Sequence, residues 1–241
     1  MYMHKIVCGA SWNTGFVACA LTLATLLAAG CAGAPPAPEE PKLVWPAPPL
    51  PPRIEFVRSI TSEDDLKADT TFSASLVTFL AGEQIPEGRI ASPAGLAVSA
   101  DAERLYVADP LQHKVFTFDF AKKELRKIDV GYPTGVALDD QENVYVVDGV
   151  KKGVVVFGRD GKELREINDK SMVRPNGIAV DSVHDRVYVV DTGNSDAPEQ
   201  NVKVFDRAGK RIGAIGGIPG GDFSQFSYPT YVTVDPEGNV F

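Results

Sequence analysis

The chain repeats one pattern of apolar runs and polar turns. In the segment Pro133–Asp148, Pro-x-Gly opens an apolar run, an acidic turn follows, and a second run, VYVVD, ends in Asp. Similar segments open at Pro93, Pro175 and Pro229, so the prolines stand 40, 42 and 54 residues apart. Self-similarity at this spacing is typical of propellers or solenoids.

Each complete repeat continues with a third and a fourth apolar segment. The third segments are VFTFD, VVVFG and VKVFD, and the fourth are Glu124–Val130, Glu163–Asn168 and Arg211–Ile215. Four antiparallel strands in about 40 residues predict an all-β propeller. We assign blade 1 to about residues 88–130, blade 2 to 131–170, blade 3 to 171–217 and a partial blade 4 to 218–241.

The strand composition supports this architecture. Val144–Val147 is apolar throughout, as expected for an inner strand buried on both faces. The small pairs Gly95/Ala97, Gly135/Ala137 and Gly177/Ala179 mark the innermost strand, where blades crowd together. The density of β-branched residues excludes helical repeats.

The first 30 residues have the pattern of a signal peptide. Lys5 is followed by a mostly apolar stretch from Phe16 to Ala29, which is too short to span a bilayer as a helix. The end of this stretch, Ala28-Ala-Gly-Cys31, resembles a bacterial lipobox, which predicts that Cys31 carries a lipid. The alternative is an ordinary secretory signal peptide that is cleaved without lipidation. In bacterial lipoproteins, a residue other than Asp after the cysteine, here Ala32, implies sorting to the outer membrane.

Two segments separate this signal from the repeats. Residues 31–52, with nine of the 18 prolines, predict an extended tether. Residues 53–87 predict a strand over Arg53–Ile60 that closes the ring, and a short amphipathic helix near 71–81. The helix would pack on the propeller or, alternatively, dock a partner.

The repeats resemble the six-bladed NHL-repeat β-propellers, in particular a group of bacterial lipoproteins. The motif is clearest at Gln112-His113-Lys114-Val115, and the resemblance covers residues 53–241. It implies a fold rather than an activity, because such propellers include binding scaffolds and enzymes. Six blades need about 250 residues, so we expect a partial sequence that forms an open arc.

Composition excludes several classes of function. The formal net charge is −8, which disfavours nucleic-acid binding. Cys8, Cys19 and Cys31 all precede the repeats, so the propeller has no cysteine metal site or disulfide framework. No pattern of catalytic or metal-binding residues, and no cofactor motif, occurs in the repeats.

The candidate binding residues lie in loops. In a four-stranded meander, the 2–3 and 4–1 loops emerge at one end of every blade, which we call the loop face; the 1–2 and 3–4 turns form the opposite turn face. The loop face would present His113, Lys114, Lys151, Lys152, Arg174, Asn194, Asp196, Phe223, Phe226 and Tyr228. The aromatic residues would form a ligand pocket or pack over the blade end.

Asp109, Asp148 and Asp191 end strand 2 of each blade. They suggest a ring of carboxylates for a metal or for acid–base chemistry, but they recur in every blade, and the resemblance to NHL propellers implies a structural role in which each Asp holds the backbone of the following loop. His113 and His184 belong to opposite faces, so they do not form a pair.

These observations favour a non-catalytic, membrane-tethered scaffold that binds a protein, peptide or glycan. It would be anchored in the bacterial cell envelope, at the periplasmic face of the outer membrane. The alternative is a propeller-type lyase or hydrolase with catalytic residues in blades beyond this sequence.

Overall fold

A computed structural model describes residues 43–47, 49–66, 88–194, 199–217, 220–222 and 225–241. The chain divides into two compact units, Met1–Arg58 and Ser59–Phe241. The predicted signal peptide, Cys31 and the helix near 71–81 lie outside the described residues, so these remain predictions. In the described part of the chain, no helix is long and apolar enough to cross a membrane.

The described residues of the first unit form a short hairpin. Strand β1 (Val44–Trp45) pairs antiparallel with β2 (Ile54–Glu55). The strand predicted over Arg53–Ile60 is therefore restricted to two residues, because its partner within the predicted tether is equally short. Pairing with a last blade of a complete ring stays a prediction.

In the second unit, the described residues form three four-stranded antiparallel sheets, which confirms the prediction of an all-β propeller architecture. Blade 1 comprises β3 (Gly95–Val98), β4 (Arg104–Asp109), β5 (Lys114–Asp119) and β6 (Glu124–Asp129). Blade 2 comprises β7 (Pro133–Leu138), β8 (Val144–Asp148), β9 (Gly153–Phe157) and β10 (Glu163–Asn168). Blade 3 comprises β11 (Pro175–Asp181), β12 (Arg186–Asp191), β13 (Gln200–Asp206) and β14 (Arg211–Gly217).

The core lies between the blades. In β8, Val144 and Val146 pack on blade 1, whereas Tyr145 and Val147 pack on blade 3. Successive side chains of a strand point to opposite faces, so a strand between two neighbours must be apolar on both. This explains the uninterrupted apolar run of β8.

The innermost strands approach each other through glycine. A Cβ at Gly135 would lie 2.5 Å from the carbonyl oxygen of Asn176, and one at Gly177 would lie 2.5 Å from that of Thr230. Real Cβ atoms essentially never come this close. The prediction that small residues mark the crowded inner strand therefore has a direct steric cause.

A 3₁₀ helix, Glu63–Leu66, covers the outward face of blade 1. Its Leu66 is 4% exposed and packs with Phe116 and Phe118. The Asp65 carboxylate accepts hydrogen bonds from the amides of Thr61 and Ser62, which satisfies donors that have no partner at a helix start. The acidic residues Glu63, Asp64 and Asp65 thus lie in one short helical turn.

The last described residues begin another antiparallel pair. Val234 forms a bridge with Val240, and Asp235 accepts a hydrogen bond of 2.7 Å from the amide of Asn239. Val232, Val234 and Val240 pack against the Tyr188 and Val190 face of blade 3. This pair occupies the place of strands 1 and 2 of the predicted fourth blade.

Charged side chains link neighbouring blades at the turn face. Arg207, in the 3–4 turn of blade 3, lies 2.9 Å from Asp140 and 3.6 Å from Asp139, both in the 1–2 turn of blade 2. Between blades 1 and 2, the Glu142 carboxylate binds Arg104 at 2.8 Å and Arg159 at 2.9 Å. The turn face is therefore held by cross-blade ion pairs.

Candidate functional site

A groove of about 460 Å³ opens on the loop face of blade 2. The 2–3 loop of this blade contributes one wall, and the 4–1 loop that leads to blade 3 contributes the other. The groove is lined by Lys151, Lys152, Glu166, Asn168, Asp169, Lys170 and Met172. Two of the predicted binding residues, Lys151 and Lys152, thus lie close to Asn168, which ends β10, and to Asp169 and Lys170, which follow it.

The groove has partly neutralised charges. Lys151 Nζ forms a hydrogen-bonded ion pair with Glu166, and this bond raises the pKa of Lys151. Asp169 accepts hydrogen bonds from Ser171 at 2.7 Å. Among the described residues, Lys152 and Lys170 have no hydrogen-bond or ion-pair partner. Two cations therefore remain free to attract an acidic ligand.

The predicted residues of blade 1 are engaged with the next loop. His113 Nδ1 hydrogen-bonds with the Gly131 carbonyl, and the His113 ring centroid lies 6.5 Å from that of Tyr132. Lys114 Nζ pairs with Asp129 Oδ1. The His113 contacts join the 2–3 loop of blade 1 to the 4–1 loop that leads to blade 2, whereas the Lys114 pair joins the ends of β5 and β6. Both side chains therefore stabilise the loop face as it stands.

The remaining predicted residues are spread around blade 3. Phe226 packs against the core cluster of this blade, whereas the Tyr228 side chain is 53% exposed. Arg174 is exposed, and its backbone amide donates to Asp191. Asn194 is exposed at the start of the 2–3 loop. Asp196 and Phe223 lie outside the described residues.

The three aspartates that end strand 2 hold the loops at their own blade end. The Asp109 carboxylate accepts amide hydrogen bonds from Ala91 and Ser92 of the preceding loop and from Gln112 of the following loop. Burial alone would raise the pKa of Asp109, but these donors outweigh it and the net pKa is lowered. The carboxylate oxygens are therefore occupied by backbone donors.

Asp148 and Asp191 repeat this arrangement. Asp148 accepts the amides of Gly131 at 3.2 Å and Tyr132 at 3.0 Å from the preceding loop, and the amide of Val150 at 2.9 Å from the following one. Asp191 accepts the amides of Val173 and Arg174 in the same way. Bonds to the following loop were predicted, whereas in the structure amides of both the preceding and the following loop donate to each carboxylate.

Lys203 is a buried cation that was not predicted from the sequence. Its side chain is 0% exposed, and its Nζ lies 3.0 Å from Asp191 Oδ2 and 3.0 Å from Asn201 Oδ1. Phe116 and Val155 occupy the equivalent position of strand 3 in blades 1 and 2. The signal available in the sequence was the single lysine in VKVFD, where the other copies are apolar or aromatic.

The two repeat histidines lie at opposite ends of the blades. His113 is in the 2–3 loop, whereas His184, in a 1–2 turn, has its Nδ1 2.7 Å from Asp181 Oδ2. Within the described ranges, no group of three His, Cys, Asp or Glu residues is placed to hold a metal ion.

Comparisons with known proteins agree with this architecture. Residues 61–173, slightly less than half of the chain, match the model of the SMP-30/Gluconolactonase/LRE-like region. No curated protein matches the sequence. A nidogen/laminin complex structure superposes with a TM-score of 0.51 at 22% identity, covering 59% of this chain and 52% of that one.

Two further solved structures are similar at lower scores. Hydrazine synthase of Kuenenia stuttgartiensis has 20% identity, a TM-score of 0.46 and coverage of 54% of this chain and 40% of that one. Selenomethionine-substituted virginiamycin B lyase from Staphylococcus aureus has 11% identity, a TM-score of 0.45 and coverage of 58% and 44%. The chain spans about half the length, or less, of these proteins. Its blades have the β-propeller fold, and its first two blades are similar to the SMP-30/gluconolactonase/LRE-like region.

Proposed function

We propose that this chain belongs to a six-bladed, NHL-type propeller lipoprotein that acts as a binding scaffold in the bacterial envelope. It is tethered through Cys31 and binds a protein, peptide or glycan on its loop face, at the periplasmic side of the outer membrane. The groove of blade 2 carries the binding proposal. It joins two loops, has a volume of about 460 Å³, and contains two lysines that no carboxylate of the described part neutralises.

The chemistry of the groove favours an acidic ligand. Lys152 and Lys170 supply positive charge from opposite walls, while Glu166 and Asp169 are already engaged with Lys151, Ser171 and Arg211. Asn168 lines the same groove and adds amide chemistry. A carboxylate-bearing peptide or a uronate-containing glycan matches this pattern, because free cations at a rim attract such ligands with a salt-dependent affinity.

Binding is tested with two probes, a glutamate-rich peptide and an oligogalacturonate, titrated against the protein by calorimetry at low salt. We expect the Lys152→Ala/Lys170→Ala double variant to bind the preferred probe about two- to thirtyfold more weakly, as for one or two exposed ion pairs. The matched control is Lys162→Ala/Lys210→Ala, which removes two lysines next to 3–4 turns. If both double variants weakened binding equally, or if neither probe bound, the groove would not be the binding site.

The anchor is tested separately. Incorporation of radiolabelled palmitate that disappears in Cys31→Ser supports the lipoprotein, whereas secretion of unlabelled protein supports an ordinary signal peptide.

An enzyme is the second candidate, and the match of residues 61–173 to a gluconolactonase-like region favours it. Such an enzyme would be a propeller-type lyase or hydrolase. Turnover of a simple sugar lactone by the protein would favour this candidate over the scaffold.

A further inference from the structure

A second cavity, of about 240 Å³, lies between blades 1 and 2 near the turn face. Blade 1 lines it with Tyr106, Thr117 and Arg126, and blade 2 lines it with Val144 and the 3–4 turn that contains Arg159. It is at the other end of the blades from the groove described above and shares no residue with it. An inference from this cavity is therefore independent of the proposed scaffold function.

The blade 1 residues form one row across the sheet. Tyr106 is the register partner of Thr117 in β5, and Thr117 is the partner of Arg126 in β6. Directly opposite residues of neighbouring strands share a face, so all three side chains project toward blade 2. The equivalent row of blade 2 is Tyr145, Val156 and Arg165.

The two rows differ in the hydrogen-bond partners of the tyrosine hydroxyl. The Tyr145 hydroxyl accepts a hydrogen bond of 2.9 Å from Arg165 and donates one of 3.3 Å to Asp139. In blade 1, Ser99 takes the place of Asp139 in the turn, and its hydroxyl donates instead to Asp101 at 2.5 Å. The acceptor that serves Tyr145 is thus absent from the row of Tyr106.

The Tyr106 hydroxyl consequently has no partner among the described residues, although the side chain is only 1% exposed. Native proteins pair nearly all buried polar atoms, so an unpaired one that lines a cavity indicates an occupant. Burial raises the pKa of Tyr106, with a further contribution from the charge of Glu142. The group is therefore a protonated hydroxyl that can donate a hydrogen bond at neutral pH.

The charge around the cavity is uneven. Arg126 donates one hydrogen bond of 3.1 Å to the Arg159 carbonyl and has no carboxylate partner in the described part of the chain. Arg159 and Asp160, by contrast, are paired with Glu142 at 2.9 Å and with Lys162 at 3.2 Å. One guanidinium is thus left to face the cavity with its charge unbalanced.

We propose that this cavity between blades 1 and 2 binds a small monocarboxylate. Arg126 holds the carboxylate, because a guanidinium presents parallel donors that fit its two oxygens. Tyr106 donates a further hydrogen bond, and Ile128 and Val144 contact the short hydrocarbon part. Lys127 also lines the cavity, but it alternates with Arg126 along β6 and its Nζ lies 3.6 Å from the Cβ position of Gly88. The Arg126 guanidinium beside Ile128 and Val144 suits one negative charge, and the volume lies below that of most drug-sized ligand pockets, so only a short chain fits.

The probe for this site is sodium butanoate, titrated into the protein in the amide-nitrogen correlation spectrum. We expect saturable shifts at the amides of Thr117 and Arg126, with no such shifts from the neutral isostere butanamide. Inorganic phosphate at neutral pH, which is partly doubly charged, should bind more weakly than butanoate because Glu142 lies nearby.

Two variants test the assigned roles. Arg126→Gln is expected to weaken butanoate binding at least tenfold, and Tyr106→Phe two- to tenfold, as for the loss of one hydrogen bond. Arg211→Gln, which removes an arginine from the outer strand of blade 3, is the control and should leave the affinity unchanged.

The wild-type titration keeps the proposal falsifiable if a variant does not fold. Absence of saturable shifts with acetate, butanoate and hexanoate would overturn it, since water alone would then fill the cavity. Equal binding of butanamide, or unchanged affinity in a folded Arg126→Gln, would also overturn it.

Discussion

Replacing Gly135 by alanine tests the close approach of the inner strands. The added Cβ would lie 2.5 Å from the Asn176 carbonyl oxygen, about 0.9 Å closer than the 3.4 Å at which ordinary contact begins. The obstacle is backbone of the next blade, so relief requires that blades 2 and 3 move apart. Overpacking of a buried site costs about 1–3 kcal/mol. Alanine also restricts the conformations of the unfolded chain, which stabilises the folded protein by about 0.4–1 kcal/mol. This gain applies because the φ of Gly135 lies outside the region that favours glycine.

The net expectation for Gly135→Ala is a loss of about 1–2 kcal/mol in the free energy of unfolding. For a domain of this size, this lowers Tm by roughly 2–8 °C, which circular dichroism at a β-sheet wavelength measures. Gly217→Ala is the matched control, since a Cβ there meets nothing within 4 Å. It should leave Tm unchanged or slightly raised. If both variants melt at the same temperature, the inner strands do not depend on glycine and the reasoning fails.

Further predictions concern buried charges. Asp191→Asn should lower the free energy of unfolding by about 3–5 kcal/mol, because the buried Lys203 ammonium then keeps only Asn201 as a partner. Lys203→Met should lower it by about 1–3 kcal/mol, because Asp191 retains its amide donors. Urea unfolding measures both, and the reverse order would contradict this assignment. The lowered pKa values of Asp109 and Asp191 predict stability that is fully present above the ordinary carboxyl pKa of about 4 and is lost as pH falls through the lower folded-state values. Asp109→Asn should reduce this acid-induced loss in urea titrations between pH 5 and 3, and an unchanged loss would refute the role of Asp109.

Much of the fold was accessible from the repeat. The Pro-x-Gly openings, the apolar runs and the terminal Asp recur because every blade must turn and pack in the same way. The strands of blade 2 accordingly begin and end within one or two residues of the predicted positions. The strand predicted over Arg53–Ile60 was less successful, since the length of a strand depends on a partner that the local pattern does not specify.

The candidate site was only partly accessible. Their position in a loop was enough to predict Lys151 and Lys152 as binding residues. Glu166 and Asn168 line the same groove, but in the sequence nothing distinguishes them from other residues near the end of a strand. His113 and Lys114 were equally plausible candidates, and the structure gives His113 a partner in the adjacent loop and Lys114 a partner at the end of β6. Whether a loop lysine is free or paired depends on neighbours that lie many residues away.

The sequence by itself determined the strand order, the turns and the faces on which loops emerge, because these follow from short-range periodicity and turn chemistry. Only the tertiary structure decided which buried polar groups are satisfied. Tyr106 and Tyr145 occupy the same place in the repeat, yet the Tyr145 hydroxyl has two partners and the Tyr106 hydroxyl has none among the described residues. Hydrogen bonding depends on which groups of separate strands and turns come within reach of each other, and the serine that replaces Asp139 in the turn of blade 1 removes an acceptor without changing the pattern of the strand.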